Sequence, residues 1–270
     1  MADMALGYGS EYQLLRALGH HRDEFFRIIK QTIGLPDNPP IEWLDYPTDG
    51  FDITKMENNG NRYGGRISED GEWCDIQGFK GQSFYDKLDQ CWDEFWPVRG
   101  QRAQNWDGIF HCGEKWFLVE AKAHKAELKS SRHQPPKASD TKERRDSWDC
   151  RKRSFQSCIN DLVHADSTGE EWMLSTYYQM ANRLAMVWFL RERGIEAYLV
   201  NIFFLNGYIR KAFGPEDSSP YPVIENKSIS SKKDWESAIK YQHKSLGLDD
   251  EKLKGISYDV FVDCRWPKHQ

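Results

Sequence analysis

The chain has 270 residues, of which 39% are hydrophobic, 29% charged and 14% aromatic. This composition is typical of a globular protein with a substantial core, and it excludes collagen-like, low-complexity and disordered chains. No window holds the roughly 18 consecutive apolar residues that a membrane-spanning helix needs, and the N-terminus lacks the basic and apolar regions of a signal peptide. We therefore predict a cytoplasmic protein without a membrane partner.

Charge is unevenly distributed along the chain. The net charge is −5, yet residues 122–153 hold 11 basic against 5 acidic residues, which leaves 26 basic against 37 acidic residues elsewhere. An acidic chain disfavours nonspecific binding to nucleic acid over its whole surface, whereas a local basic stretch suits a phosphate-rich ligand at one place. The alternative is that this basic stretch is a solvated insertion loop without a ligand. The six cysteines form no CxxC pair, so we predict free thiols.

The N-terminal part of the chain predicts one helix followed by a strand. Residues 10–33 place apolar side chains near helical spacing, with Ser10 as the N-cap and Gly34 after the end. Residues 41–46 are typical of a short strand. Residues 47–80 are rich in Gly, Asn and Asp and show no periodicity, so we predict an irregular insertion.

The middle of the chain predicts a second helix and a β-hairpin. Residues 83–96 carry one apolar stripe and end before Pro97. Residues 105–112 and 115–124 are predicted strands, joined by a turn at Gly113 and Glu114. Residues 129–153 are polar, basic and interrupted by two prolines, which predicts a basic insertion.

The C-terminal half alternates helix and strand. Helices are predicted at 155–164, at 174–193 and near 232–246, and strands at the apolar run 196–205 and at 257–266. We see no internal repeat. The order indicates one α/β (α+β) domain over residues 1–270, with a central mixed β-sheet flanked by helices.

The predicted strand 115–124 carries the chemistry. Its alternation places Phe117, Val119 and Ala121 on a core-facing row, and Glu120 and Lys122 together on the other face. Asp107, on the preceding strand, is within reach of that face. Two carboxylates are the ligands that Mg²⁺ or Mn²⁺ prefers, and a neighbouring lysine can orient water or stabilise negative charge. This combination indicates hydrolysis of a phosphodiester bond.

The pattern resembles the PD-(D/E)XK, or restriction-endonuclease-like, nuclease superfamily. Asp107 is followed, after twelve residues, by Glu120, Ala121 and Lys122, although Trp106 stands where the family has proline. The resemblance covers the middle of the chain and extends loosely over residues 174–205. It implies a restriction-endonuclease-like core and a Mg²⁺- or Mn²⁺-dependent endonuclease that acts on DNA. Asp107 and Glu120 would bind the metal, and Lys122 would serve the water or the scissile phosphate.

Further site residues are predicted from the same resemblance and from helical spacing. Many members carry another acidic residue on a helix before the sheet, and Glu11 is preferred here over Glu94. On the helix 174–193, Gln179 and Arg183 share a polar face with Asn182, and similar families use a glutamine there to position water or phosphate. A structural role for this polar triplet, in capping a neighbouring loop, is the alternative.

The basic stretch is predicted to follow a nucleic-acid backbone. Contacts from these side chains would position the ligand rather than read its sequence. With Arg183, the predicted nucleic-acid-binding residues are Arg144, Arg145, Arg151, Lys152 and Arg153. Cleavage of both DNA strands would favour a homodimer, although no segment indicates a dimer interface.

Two alternatives to a nuclease stay open from the sequence. The first is a catalytically inactive module that binds nucleic acid or protein on a nuclease-like fold, since fold does not determine activity. The second is that Asp107 and Glu120 form a carboxylate pair for glycoside hydrolysis, a reaction in which Lys122 has no evident role. The sequence does not separate DNA from RNA or endonuclease from exonuclease.

Overall fold

A five-stranded mixed sheet organises the part of the chain that the structure describes. The structure is a computed structural model, and it describes residues 9–44, 73–98, 103–130, 133–163, 167–207, 209–210, 224–225, 229 and 231–266. The nine strands among these residues are β1 Glu42–Trp43, β2 Trp73–Cys74, β3 Asn105–Trp106, β4 Gly108–Cys112, β5 Lys115–Lys122, β6 Ala197–Leu205, β7 Ile209–Arg210, β8 Ile224–Glu225 and β9 Ser257–Asp263.

The order of strands in the main sheet is β1, β4, β5, β6 and β9. The first two pairs are antiparallel, and β5, β6 and β9 run parallel to one another. The remaining strands form two small ribbons, β2 with β3 and β7 with β8. The α/β class and the mixed sheet flanked by helices are thus confirmed.

Eight α-helices are described around the sheet. Their bounds are α1 Gly9–His20, α2 Arg22–Ile33, α3 Tyr85–Phe95, α4 Lys142–Leu162, α5 Gly169–Leu174, α6 Tyr178–Arg191, α7 Lys232–Leu246 and α8 Asp250–Leu253. The helices predicted at 83–96 and 232–246 are confirmed, and so are the hairpin and the buried strand at 196–205. Every helix of the described chain is too short or too polar to cross a membrane.

The alternation along β5 assigns its side chains to two separate cores. Phe117, Val119 and Ala121 are fully buried with apolar residues of α1 and α2 on one face of the sheet. Leu118 on the other face is buried with residues of α3, α4, α5, α6 and α7. Glu120 and Lys122 share this second face with Leu118, because side chains alternate along a strand, so they lie under the larger helical layer.

The prediction of a single helix over residues 10–33 is wrong, because the helix is interrupted at His21. This residue has φ −135° and ψ 27°, which is outside the helical region, and its ring stacks on Trp266 with 4.7 Å between centroids. The break lets both α1 and α2 lay their apolar faces on the same sheet. The predicted end of the helix is confirmed, since Gly34 adopts the left-handed conformation after α2.

The prediction of a basic insertion over residues 129–153 is wrong for residues 142–153, which form the first half of α4. Thr141 caps the helix by accepting a hydrogen bond from the Arg144 amide. Trp148 and Phe155 bury their rings in the helical layer. The polar composition reflects the solvated face of this helix, which continues through the separately predicted helix 155–164.

Two further predictions need adjustment. The helix predicted over 174–193 is confirmed as α6, but it begins later, at Tyr178, because Ser175 is extended and its hydroxyl accepts a hydrogen bond from the Tyr177 amide; Leu174 ends the separate helix α5. Most of the irregular insertion 47–80 lies outside the described residues, and within its last part Phe79 is buried in the core. Free thiols are confirmed for the five cysteines whose side chains are described.

Candidate active site

A break between two strands places Asp107. The strand predicted over 105–112 divides here, since β3 pairs with β2 and β4 pairs with β5. The Asp107 amide donates to the Val119 carbonyl at 3.1 Å, and Asp107 Oδ2 accepts from the Ala121 amide at 2.6 Å. Both bonds go to β5, on either side of Glu120. The carboxylate of Asp107 is therefore tied to the strand that carries the other two predicted catalytic groups.

Glu120 lies between two cations. Lys122 Nζ donates to Glu120 Oε1, and Arg183 Nε of α6 donates to Glu120 Oε2 at 2.7 Å. The exposed fractions are 5% for Glu120, 8% for Lys122 and 6% for Arg183. The Arg183 guanidinium also lies 4.9 Å from the ring centroid of Trp106. Both carboxylate oxygens of Glu120 are thus engaged in a buried ion-pair network.

The electrostatics of the site shift the titration of Asp107 towards neutral pH. Burial and the negative charge of Glu120 raise the pKa of Asp107 to about 7, although Lys122 opposes this shift. Burial alone would raise the pKa of Glu120, but the charges of Arg183 and Lys122 outweigh it and lower that pKa. Burial likewise disfavours the charged form of Lys122, yet Glu120 and Asp107 raise its pKa. Perturbed groups of this kind concentrate at functional sites.

A polar cavity of about 440 Å³ opens over this network. Its lining combines cationic, amide and aromatic groups around one carboxylate. The residues that line it are Ala103, Asn105, Asp107, Lys129, Ser130, His133, Tyr178, Gln179, Asn182 and Arg183. The rings of His133 and Tyr178 lie 4.0 Å apart between centroids. A cavity of this size is in the range of small-ligand sites.

The structure brings Asp107, Gln179 and Arg183 to the cavity, with Glu120 and Lys122 joined to Arg183 and Asp107 through the network. The Gln179 amide donates to the Ser130 hydroxyl at 3.1 Å, which fixes the first turn of α6 against the loop after β5. Five of the predicted site residues therefore meet in one place.

Among the predicted basic residues of α4, Arg151 acts on the cavity wall, because burial raises the pKa of Tyr178 and the charge of Arg151 opposes this shift. None of the five is among the described lining residues. Arg144 pairs with Asp140 at 3.4 Å and Lys152 with Asp149 at 3.6 Å. Arg145 donates to the carbonyls of residues 138 and 140. Burial raises the pKa of Cys150, and the charge of Arg153 opposes this shift. These four stay predicted nucleic-acid contacts on the α4 surface.

The two candidates for a further acidic residue lie apart from the cavity lining. Glu94 is exposed on α3. Glu11 is in the first turn of α1, which packs on the sheet face opposite to Glu120, and its side chain lies outside the described part of the structure. Its role stays a prediction.

Sequence reasoning missed six lining residues. Ala103 and Asn105 precede Asp107 in the chain, and the other four are Lys129, Ser130, His133 and Tyr178. Three of these four follow β5 and the fourth begins α6, so periodicity did not mark them. One signal was available, because side chains that follow the carboxyl end of a parallel strand gather at that edge of the sheet. His124, which follows β5, pairs with Glu127 at 3.0 Å.

Asp107 and Glu120 fit a divalent cation in chemistry and charge. Carboxylate oxygens are preferred ligands of Mg²⁺, and a cation would relieve the repulsion that raises the pKa of Asp107. Within the described ranges no group of three or more His, Cys, Asp or Glu side chains comes together for a metal. Water, carbonyl or phosphate oxygens would therefore complete the shell, and Glu120 would have to release one cationic partner.

Taken together, the site offers two carboxylates, two buried cations and an adjoining polar cavity. This set can bind an anion beside a carboxylate pair and can hold a hydrolytic water. Comparisons of the chain with protein-family models, with curated proteins and with solved structures find no match.

Proposed function

We propose that this protein is a metal-dependent nuclease that hydrolyses phosphodiester bonds of nucleic acid, with DNA as the favoured substrate. The observation that carries the proposal is the meeting of Asp107, Glu120 and Lys122 beside a polar cavity that also exposes Lys129 and Arg183. Carboxylates, a lysine and phosphate-binding cations are the groups that such a hydrolysis requires. The surroundings of the site are polar enough to receive a charged backbone.

Each residue has a distinct role in this proposal. Asp107 and Glu120 would hold Mg²⁺ or Mn²⁺, which when bound polarises a phosphoryl oxygen and lowers the pKa of water. Lys122 is fixed by Glu120 and would orient the attacking water or stabilise the charge that develops on the phosphate. Arg183 and Lys129 would bind phosphate oxygens, and Gln179 would position the substrate at the cavity wall.

We also propose that the sheet is a restriction-endonuclease-like core. The order of elements supports this assignment, since α1 and α2 precede the antiparallel strands β1, β4 and β5, and the helices α4 to α6 lead to the parallel strand β6. The resemblance noted in the sequence implies such an order, with a helix and then a strand after the Glu120 strand.

A non-catalytic binding module is the second candidate, and one observation favours it. Both oxygens of Glu120 are engaged by Lys122 and Arg183, which is how a purely structural ion-pair network would look. In that case the cavity would bind a phosphate-bearing ligand without hydrolysis. Metal binding separates the candidates, because a structural network need not bind Mg²⁺ at Asp107 and Glu120.

The experiment is a set of near-isosteric variants assayed for Mg²⁺-dependent cleavage of single-stranded and plasmid DNA. Asp107→Asn, Glu120→Gln and Lys122→Met are each expected to abolish cleavage. These are preferable to Glu120→Ala, which leaves Lys122 and Arg183 buried without their counter-ion. Glu127→Gln is the matched control, because Glu127 is a largely buried carboxylate outside the cavity lining that accepts from the Ala123 amide. Cleavage that persists in the three variants refutes the assignment.

A further inference from the structure

When Asp107 is ionised, the charges at the site balance before any metal enters. Asp107 and Glu120 stand against Lys122 and Arg183, and the two cations occupy both oxygens of Glu120. Groups this deeply buried are costly to leave without a partner. A divalent cation that binds Glu120 must therefore displace one of the two cations, and the displaced charge needs a new anionic partner.

Arg183 is the cation that can leave. Lys122 is on the same strand as Glu120, two residues along, and it is not among the described residues that line the cavity. Arg183 comes from α6 and lines the cavity itself. Its guanidinium could turn from Glu120 to an anion in the cavity without leaving the site. The planar guanidinium is well suited to bind phosphate oxygens.

We propose that Arg183 exchanges between Glu120 and a phosphate of the bound nucleic acid, and that this exchange frees Glu120 for the divalent cation. The inference rests on the proposed nuclease function and makes Arg183 a positioning residue for the metal. Without nucleic acid, Arg183 competes with the cation for Glu120. When nucleic acid is present, the phosphate and the divalent cation favour each other's binding. The phosphate pairs with the displaced Arg183, and the cation neutralises the Glu120 that Arg183 has left.

The test measures two affinities that a single substitution should move in opposite directions. Arg183→Gln removes the competing charge, so the variant should bind Mg²⁺ roughly tenfold more tightly or better by calorimetry without nucleic acid. The same variant loses a phosphate contact. In EDTA it should bind a fluorescein-labelled single-stranded oligonucleotide roughly tenfold more weakly by anisotropy, with a salt dependence reduced by about one ion.

Two further variants control for damage to the fold. Arg191→Gln, about two turns along the same helix, removes an arginine that donates to the Ala197 carbonyl at 3.0 Å away from the cavity lining, and both affinities should stay as in the wild type. Arg183→Lys keeps the charge, so its Mg²⁺ affinity should stay near that of the wild type. Circular dichroism establishes that each variant is folded.

A merely structural Arg183 would give a different pattern, since its loss would weaken both ligands or neither. A folded Arg183→Gln that binds Mg²⁺ no more tightly than the wild type overturns the exchange. If the wild type still cleaves DNA and Glu120→Gln does not, the proposed function survives that result. Failure of every variant and of the wild type to bind Mg²⁺ or cleave DNA overturns both proposals.

Discussion

Replacing Asp107 by Asn should stabilise the folded protein at high pH. The Asp107 side chain is half-buried beside Glu120, and its pKa of about 7 in the fold lies above the ordinary value of 3.8. The folded state therefore holds a proton that the unfolded chain releases between these pH values. By linkage, the free energy of unfolding falls as the pH rises through this window.

The size of the effect follows from the same pKa. A rise from 3.8 to about 7 corresponds to about 4 kcal/mol of lost stability above pH 7. Asp107 is partly exposed towards the cavity, and solvent screening reduces the effect to about 2 kcal/mol. Asparagine keeps an oxygen that can accept from the Ala121 amide, so the variant removes the charge and retains that bond.

Urea unfolding of wild type and Asp107→Asn at two pH values measures this directly. The variant should be more stable by about 2 kcal/mol at pH 8 and by less than about 1 kcal/mol at pH 5. Asp146→Asn, on the exposed face of α4, should change stability by less than about 0.5 kcal/mol at either pH. A variant that is less stable at pH 8, or a gain that does not depend on pH, would refute the reasoning.

Three further predictions test the packing of the fold by chemical denaturation. Glu120→Ala should cost about 3–5 kcal/mol, because it leaves two buried cations unpaired, and a loss below 1 kcal/mol contradicts the burial of the network. Trp148→Ala should cost about 3–5 kcal/mol, and Arg144→Ala on the exposed face less than about 0.5 kcal/mol; equal small losses would mean that this segment is a loop. Gly108→Ala should cost about 1–3 kcal/mol, since a Cβ would lie 2.1 Å from the Trp43 ring, and a neutral effect contradicts this close approach.

The arrangement of β5 was predictable because it depends on local alternation. Phe117, Val119 and Ala121 are apolar without interruption, and this row could only face a core. Asp107 was predictable as a neighbour, since a two-residue turn sets the hairpin register. The hydrogen bond that holds the Asp107 carboxylate was not predictable. It comes from the Ala121 amide and depends on the break between β3 and β4.

The helical layer was less predictable. In α4 charged residues occupy most of the positions between the buried Trp148 and Phe155, so its apolar stripe is sparse there and its composition indicates a loop. The break at His21 depends on the stacking of the His21 ring on Trp266, which is far away in sequence. Long-range contacts of this kind override local propensity.

The role of Arg183 shows the same limit at the site itself. Its spacing from Gln179 predicted a shared polar face, and both residues do line the cavity. Its partner was not predictable, because Glu120 is on a strand 63 residues away in sequence. The same helical spacing would also suit an Arg183 that contacts only phosphate. The exchange that we propose depends on this pairing and follows from the three-dimensional arrangement.

The most direct test of the nuclease proposal is a titration of the wild-type protein with Mg²⁺ and with Mn²⁺ beside Glu120→Gln. Supercoiled plasmid and single-stranded oligonucleotide are both offered as substrates. We expect the wild type to cut DNA in proportion to metal occupancy and the variant to cut neither substrate. Absence of metal-dependent cleavage in the wild type, or equal cleavage by the variant, would contradict the assignment of Asp107, Glu120 and Lys122 as a nuclease site.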